Sequence, residues 1–222
     1  MINTIIFDLD GTLLNTLEDL TDSLNYALRK SGLLERTIEE VRSFVGNGVA
    51  KLIERAIPGG IAHPSYAEIL REFKAHYALH CKDKTRPYDG ILPMLDTLCA
   101  KGYKLAIVSN KFDAAVKELS SLYFGERILA AIGESEKTRK KPAPDTVYQA
   151  LEELAVSAAE AIYVGDSDVD LETAANAKIP CISVTWGFRD RESLLMAGAD
   201  PARMITSPDC LLPLLASLSA EA

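Results

Sequence analysis

The sequence predicts an α/β protein: a Rossmann-like parallel sheet with helices on both faces, plus an inserted α-helical cap domain. Three observations lead there. Short apolar runs rich in β-branched residues recur at residues 4–9, 104–108, 128–132, 161–164 and 180–184, each bounded by polar or turn-forming residues. Helix-like patterns separate most of these runs, and unbroken apolar strands between helices describe a parallel sheet covered on both faces. Residues 14–86 break the alternation, with helical periodicity and no convincing strand.

The first run ends at an acidic pair, Asp8 and Asp10, and breaks into Gly11 and Thr12, a turn signal. In the helical stretch, Tyr66, Ile69, Leu70, Phe73, Tyr77 and Cys81 recur at spacings of three, one, three, four and four, one apolar stripe of an amphipathic helix read as core. Pro87, Tyr88, Asp89 and Gly90 then supply turn chemistry where the sheet pattern resumes. The expected division is a catalytic core of residues 1–14 and 87–222 with a helical cap of residues 15–86.

A chain of 222 residues can bury a sizeable core as one large domain or two modest ones. With 24 basic against 32 acidic residues the net charge is −8, which opposes broad adhesion to nucleic acid or an anionic membrane. The N-terminus shows no basic stretch leading into an apolar run, and no apolar run is long enough to span a bilayer. The expected location is the cytoplasm, as a monomer or homodimer. Cys81, Cys99, Cys181 and Cys210 lack metal-ligand spacing and read as reduced thiols.

Four polar clusters fall at expected strand ends: Asp8 to Thr12, Ser109 with Asn110, Lys141 with Pro142, and Gly165 to Asp170. Parallel sheets bind ligands at the carboxyl edge of their strands, so these distant segments can meet at one site. Acids two residues apart on a strand point the same way, and each is costly beside an apolar sheet unless compensated. Mg²⁺ would compensate, since it takes one or two protein carboxylates and fills its shell with water and phosphate oxygens; Asp8 and Asp166 suit that demand. Taken singly, the Asp-x-Asp pair reads first as a solvated turn or cap, and Ser109 or Asn110 as an N-cap.

Together and in this order, the four clusters resemble the motifs of the haloacid dehalogenase superfamily, beginning with Asp8, Leu9, Asp10, Gly11, Thr12 and Leu13. The resemblance implies that Asp8 is a nucleophile that becomes an aspartyl-phosphate, and that Asp10 is the general acid for the leaving oxygen and then the base for water. It implies phosphate binding by Ser109, Asn110, Lys141 and the Gly11–Thr12 segment, with Mg²⁺ held by Asp8, the Asp10 carbonyl and Asp166. Lys140 competes with Lys141, which the resemblance prefers because it precedes Pro142, expected to launch the next helix. Asp168 competes with Asp170, and family alignment favours Asp170 in a supporting role. Dehalogenases lack the second acid, so Asp10 points away from halide chemistry.

The cap is expected to select the substrate. Gly46, Asn47 and Gly48 resemble the cap loop of phosphoglycolate phosphatases, although a helix-to-helix turn accounts for them equally. Trp186, Gly187, Phe188 and Arg189 are similar to a segment of those enzymes and of related pyrophosphatases. A Mg²⁺-dependent phosphatase acting on a small phosphorylated metabolite is expected, with phosphoglycolate favoured. The alternatives are a pyrophosphatase, a β-phosphoglucomutase-like phosphomutase, whose cap loop usually presents an arginine absent around Gly46, and more distantly a phospho-accepting signalling receiver. His63, His76 and His80 all fall in the cap and read as surface or packing residues.

Overall fold

The computed structural model describes residues 2–135 and 138–220. By contact it resolves into two compact units, Met1–Leu14 with Pro87–Ala222 and Asn15–Arg86. In chain order, β1 (Thr4–Phe7) and β2 (Leu14–Asn15) lead into four helices, α1 (Leu17–Lys30), α2 (Ile38–Phe44), α3 (Val49–Ala56) and α4 (Tyr66–His80). The chain continues through β3 (Arg86–Pro87), α5 (Ile91–Ala100), β4 (Lys104–Phe112), α6 (Asp113–Phe124), β5 (Ala130–Glu134) and α7 (Asp145–Leu154). It closes with β6 (Ala161–Gly165), α8 (Asp168–Ala177), β7 (Cys181–Val184), α9 (Arg191–Met196), β8 (Met204–Ile205) and α10 (Leu211–Ala220).

Six strands form one sheet in the order β5, β4, β1, β6, β7, β8, and every pair in it is parallel. All four residues of β1 are buried, and each fully buried Ile or Phe side chain contributes about 1.5–3 kcal/mol. Ile6, Val108, Ile132 and Tyr163 pack with Val147, Leu151 and Ala174 in one apolar cluster on a face of the sheet. The chain moves outward from β1 in opposite directions, to β4 and β5 on one side and to β6, β7 and β8 on the other. The carboxyl end of β1 is therefore the switch point, where open α/β sheets place their ligands.

The helical unit has its own packing. Leu20, Leu24 and Leu28 of α1 are buried at four-residue intervals, as are Ile69, Phe73 and Tyr77 of α4, and these two helices pack together. Thr37 caps α2, its Oγ1 accepting from Glu40 N at 3.2 Å while Thr37 N donates to Glu40 Oε2 at 2.8 Å. Buried Asp19 accepts from the backbone N–H groups of Lys84 and Thr85 at 2.9 Å each. Such pairing removes the penalty of burying its charge.

Several boundaries differ from the sequence expectation. The run at residues 104–108 continues as strand to Phe112, with a register irregularity between Val108 and Phe112, so Ser109 and Asn110 lie within a strand and cap no helix. β1 stops at Phe7 because the Leu9 carbonyl accepts from the N–H groups of Thr12, Leu13 and Leu14, winding the chain into a tight turn. Pro142 does not launch α7, which begins at Asp145 after Pro144 as N-cap; residues 140–143 form a turn closed by Ala143 N on the Lys140 carbonyl. β8 was not foreseen, since two residues carry no readable alternation.

Candidate active site

The register places the site. Phe7 pairs with Ile107 on one side and Val164 on the other, so the residues just beyond these three positions emerge together at the sheet edge. Asp8 N donates to the Val164 carbonyl at 2.9 Å, extending the ladder by one bond and fixing the Asp8 backbone beside β6. Ser109 and Asn110 leave the same edge from β4, and Asp166 follows β6 directly.

At this edge Lys141 is the central cation. Its Nζ lies 2.7 Å from Asp8 Oδ1, 2.8 Å from Asp170 Oδ1 and 3.0 Å from the Tyr163 hydroxyl, and its side chain is 3% exposed. The Tyr163 hydroxyl in turn donates to Asp170 Oδ1 at 3.0 Å. Asp170 Oδ2 accepts from Ser167 N and Oγ at 3.1 and 2.6 Å, so both of its oxygens are committed to holding Lys141 and the start of α8. Asn110 Nδ2 donates to the Lys141 carbonyl at 3.1 Å, fixing the backbone from which the ammonium reaches in.

Asp166 is oriented from two further segments. Its Oδ1 accepts from Thr12 Oγ1 at 3.1 Å and its Oδ2 from Phe188 N at 2.7 Å. Trp186 Nε1 donates to the Thr12 carbonyl at 3.0 Å, so the segment after β7 closes against the turn after β1. Two glycines permit this approach. A Cβ on Gly11, whose φ is +93°, would overlap the Asp166 carboxylate, and one on Gly187 would meet Asp166 and the Gly11 carbonyl.

The electrostatics of this donor set suit a cation. Burial drives the Asp8 carboxyl well above the ordinary carboxylate range, with Lys141 pulling it back and Asp170 and Asp166 pushing it further. Burial and then Asp170 push Asp166 up to about 7, against the Phe188 N–H, Thr12 and Arg189. Burial pulls the Lys141 ammonium down, but Asp170 and then Asp8 outweigh it and hold the group above its usual range. One carboxylate oxygen from each of Asp8, Asp166 and Asp170 lies within 4.8 Å of the others. When ionised, these acids outnumber the single Lys141 charge by two, an unfavourable excess in a desolvated space. A divalent cation with oxygen preference fits that donor set and that charge.

Asp8, Ser109, Lys141, Asp166 and Asp170 thus lie together at the carboxyl end of the sheet, all buried. Gly11 and Thr12 stand against Asp166, and Asn110 stands behind Lys141. Lys140 is exposed where Lys141 is buried, and Asp168 faces outward, 3.6 Å from Arg189. Gly46, Asn47 and Gly48 belong to the other unit, in the loop from α2 to α3, with φ values of 115° at Gly46 and 83° at Gly48. His76 stacks between Tyr26 and His80 in that unit and meets Ser23 Oγ at 3.0 Å, a packing role.

Three participants were missed from sequence. Lys111 Nζ sits 2.7 Å from Asp10 Oδ1 with its side chain 3% exposed; its offset of two from Ser109 would have signalled it, had the strand been carried past Val108. Tyr163 falls in an apolar strand run, and nothing in the sequence marks its hydroxyl. Ser167 lies between the acids, and a Ser three residues before an acid is the helix-start signal that marks it.

A doubly wound parallel sheet with a lysine-braced carboxylate cluster at its switch point, and a helical unit inserted behind the first strand, defines an α/β enzyme. Residues 5–184 match the haloacid dehalogenase-like hydrolase family, and the chain belongs to that family. It is 34% identical over 211 residues to a phosphoglycolate phosphatase of Mesorhizobium japonicum, covering 93% of this chain and 92% of the relative. It is also 34% identical to one of Aquifex aeolicus, over 83% of this chain and 85% of the relative. Among solved structures, a Lactobacillus delbrueckii subsp. bulgaricus protein designated a phosphoglycolate phosphatase superposes with a TM-score of 0.89 at 35% identity, covering 94% of this chain and 96% of its own. CbbY from Rhodobacter sphaeroides, solved with phosphate, gives 0.74 at 28% identity, covering 94% and 95%.

Proposed function

We propose that this hydrolase is a Mg²⁺-dependent phosphatase for a small phosphomonoester, phosphoglycolate first among candidates, working through an aspartyl-phosphate on Asp8. The observation that carries the reading is the buried contact of Lys141 with both Asp8 and Asp170, beside Asp166 at the same strand ends. A bare carboxylate nucleophile needs its substrate's charge neutralised and its own orientation fixed, and this arrangement does both.

In the proposed cycle an Asp8 carboxylate oxygen attacks phosphorus and the bond to the ester oxygen breaks. Asp10 gives that departing oxygen its proton. Asp10 then takes a proton from water, whose oxygen attacks phosphorus and breaks the bond to Asp8, releasing inorganic phosphate and restoring both carboxyls to their starting state. Lys141 and Ser109 neutralise and orient phosphoryl oxygens, while Asp170 and Asn110 keep Lys141 in place. Asp8, Asp166 and the Asp10 carbonyl are the groups assigned to Mg²⁺, which when bound supplies charge to the phosphoryl oxygens.

Residues 15–86 are assigned the role of substrate-selecting cap, with the Gly46–Gly48 loop reading the part of the ester beyond phosphorus. The curated relatives' names support phosphoglycolate. Four free cysteines support a reducing, cytoplasmic setting. The test is phosphate release from a panel of phosphorylated metabolites, scored by kcat/KM, with wild type and Asp8→Asn side by side. Phosphoglycolate is expected to lead the panel, and the variant to be inactive on all of it. Isomerisation of a sugar phosphate that needs a bisphosphate activator would replace this reading with a phosphomutase.

A further inference from the structure

We propose that Lys111 is a positioning residue for the proton-carrying carboxyl, its ammonium aiming Asp10 at the ester's leaving oxygen and later at water. The inference rests on the assignment of the proton to Asp10. Lys111 reaches from β4 beyond Ser109, and its Nζ binds Asp10 Oδ1 at 2.7 Å. Its own N–H donates to Ser109 Oγ at 3.2 Å, so the phosphate-facing hydroxyl and the Asp10 brace share one short piece of strand.

The Asp10 backbone is fixed by its bridge to Leu14 and by Gly11 N on the Leu14 carbonyl at 2.9 Å. The carboxylate itself is 20% exposed on the side-chain scale, and its two side-chain torsions remain to be set. Lys111 engages Oδ1, while Oδ2 has no protein partner among the described residues. Burying an ammonium is unfavourable unless it is paired, so a lysine at 3% exposure beside a partly open carboxylate is an expensive way to satisfy structure alone. The two buried lysines also divide the acids: Lys141 holds Asp8 and Asp170, and Lys111 holds Asp10. That division matches nucleophile against proton carrier, and a misplacement of about 1 Å in such a group costs on the order of 10²-fold in rate.

The experiment is the single-turnover rate of phosphoenzyme formation with an alkyl phosphomonoester, whose leaving oxygen needs a proton, and with p-nitrophenyl phosphate, whose leaving group does not. Lys111→Met is expected to slow the alkyl ester on the order of 10²-fold, at least about ten times more than it slows the aryl ester. In an Asp10→Asn background, Lys111→Met is expected to add nothing for the alkyl ester, because the brace would have nothing to aim. Equal losses on both esters, or an undiminished cost in the Asp10→Asn background, overturns the inference. Should Lys111→Met fail to fold, Lys111→Gln, which keeps polar reach without the charge, undergoes the same comparison with the same outcomes. Wild-type protein that hydrolyses no phosphomonoester, or Asp8→Asn that still does, removes the underlying reading. Asp8-dependent turnover with an alkyl-to-aryl ratio unmoved by the Lys111 variant removes only this inference.

Discussion

Asp8 illustrates how little a residue's type says about its chemistry before its neighbours are known. An aspartate at the end of a strand is ordinarily a solvated acid, whereas this one is 7% exposed and held by the Lys141 ammonium. Asp8→Asn keeps the shape and removes the anion proposed to attack phosphorus, so kcat is expected to fall on the order of 10³-fold or more, with no phosphoenzyme trapped on rapid quenching. Gly11 makes a different point, because its role is an absence. At φ +93° with Asp166 where a Cβ would stand, Gly11→Ala is expected to cost about 1–3 kcal/mol in a denaturant titration. It should also weaken Mg²⁺ binding by calorimetry, since Asp166 must move to admit the methyl group.

The β6–α8 junction is the most informative element. Asp166 leaves the strand, Ser167 stands at the N-cap, and Asp168 and Asp170 fall in the first helical turn. The sequence alone left Asp168 and Asp170 in competition. Helical geometry separates them by about 200° around the axis, sending Asp168 outward to Arg189 and Asp170 inward to Lys141. Acids in a first turn also complement the helix dipole. Ser167→Ala removes a 2.6 Å bond to Asp170 Oδ2, with an expected loss of about 1 kcal/mol in chemical denaturation. A drop in kcat should accompany it as Asp170 loosens its hold on Lys141. β4 carries the opposite lesson: its apolar run ends at Val108, yet the strand continues to Phe112, which conceals Lys111.

For the whole molecule, the acidic centre ties stability to pH and to metal. The carboxyl of Asp166 is pushed up to about 7 in the folded protein, above the ordinary aspartate range, chiefly by burial and then by Asp170. Its protonation therefore adds stability that is fully present below the pKa of the unfolded chain and is lost as pH rises through about 7. Metal-free protein is accordingly expected to melt at a higher temperature at pH 5 than at pH 8. Saturating Mg²⁺ should flatten that slope, because the cation replaces the proton as the neutralising charge. Thermal melts across that range in chelator and in Mg²⁺ check both halves. A metal-free protein that gains stability steadily toward pH 8 while Mg²⁺ shifts nothing would contradict the assignment.

The α/β order, the helical stretch behind the first strand and the four polar segments are legible along the chain. Each of these is written in local signals: an apolar run, a periodicity, a turn residue, an acid two places from another. Which side chains become partners follows instead from the folded arrangement of the strands. Lys111 and Asp10 are 101 residues apart, and Lys141 and Asp8 are 133 apart. No local pattern encodes such pairs, because they depend on β1 lying between β4 and β6 and on the register that ends those strands together.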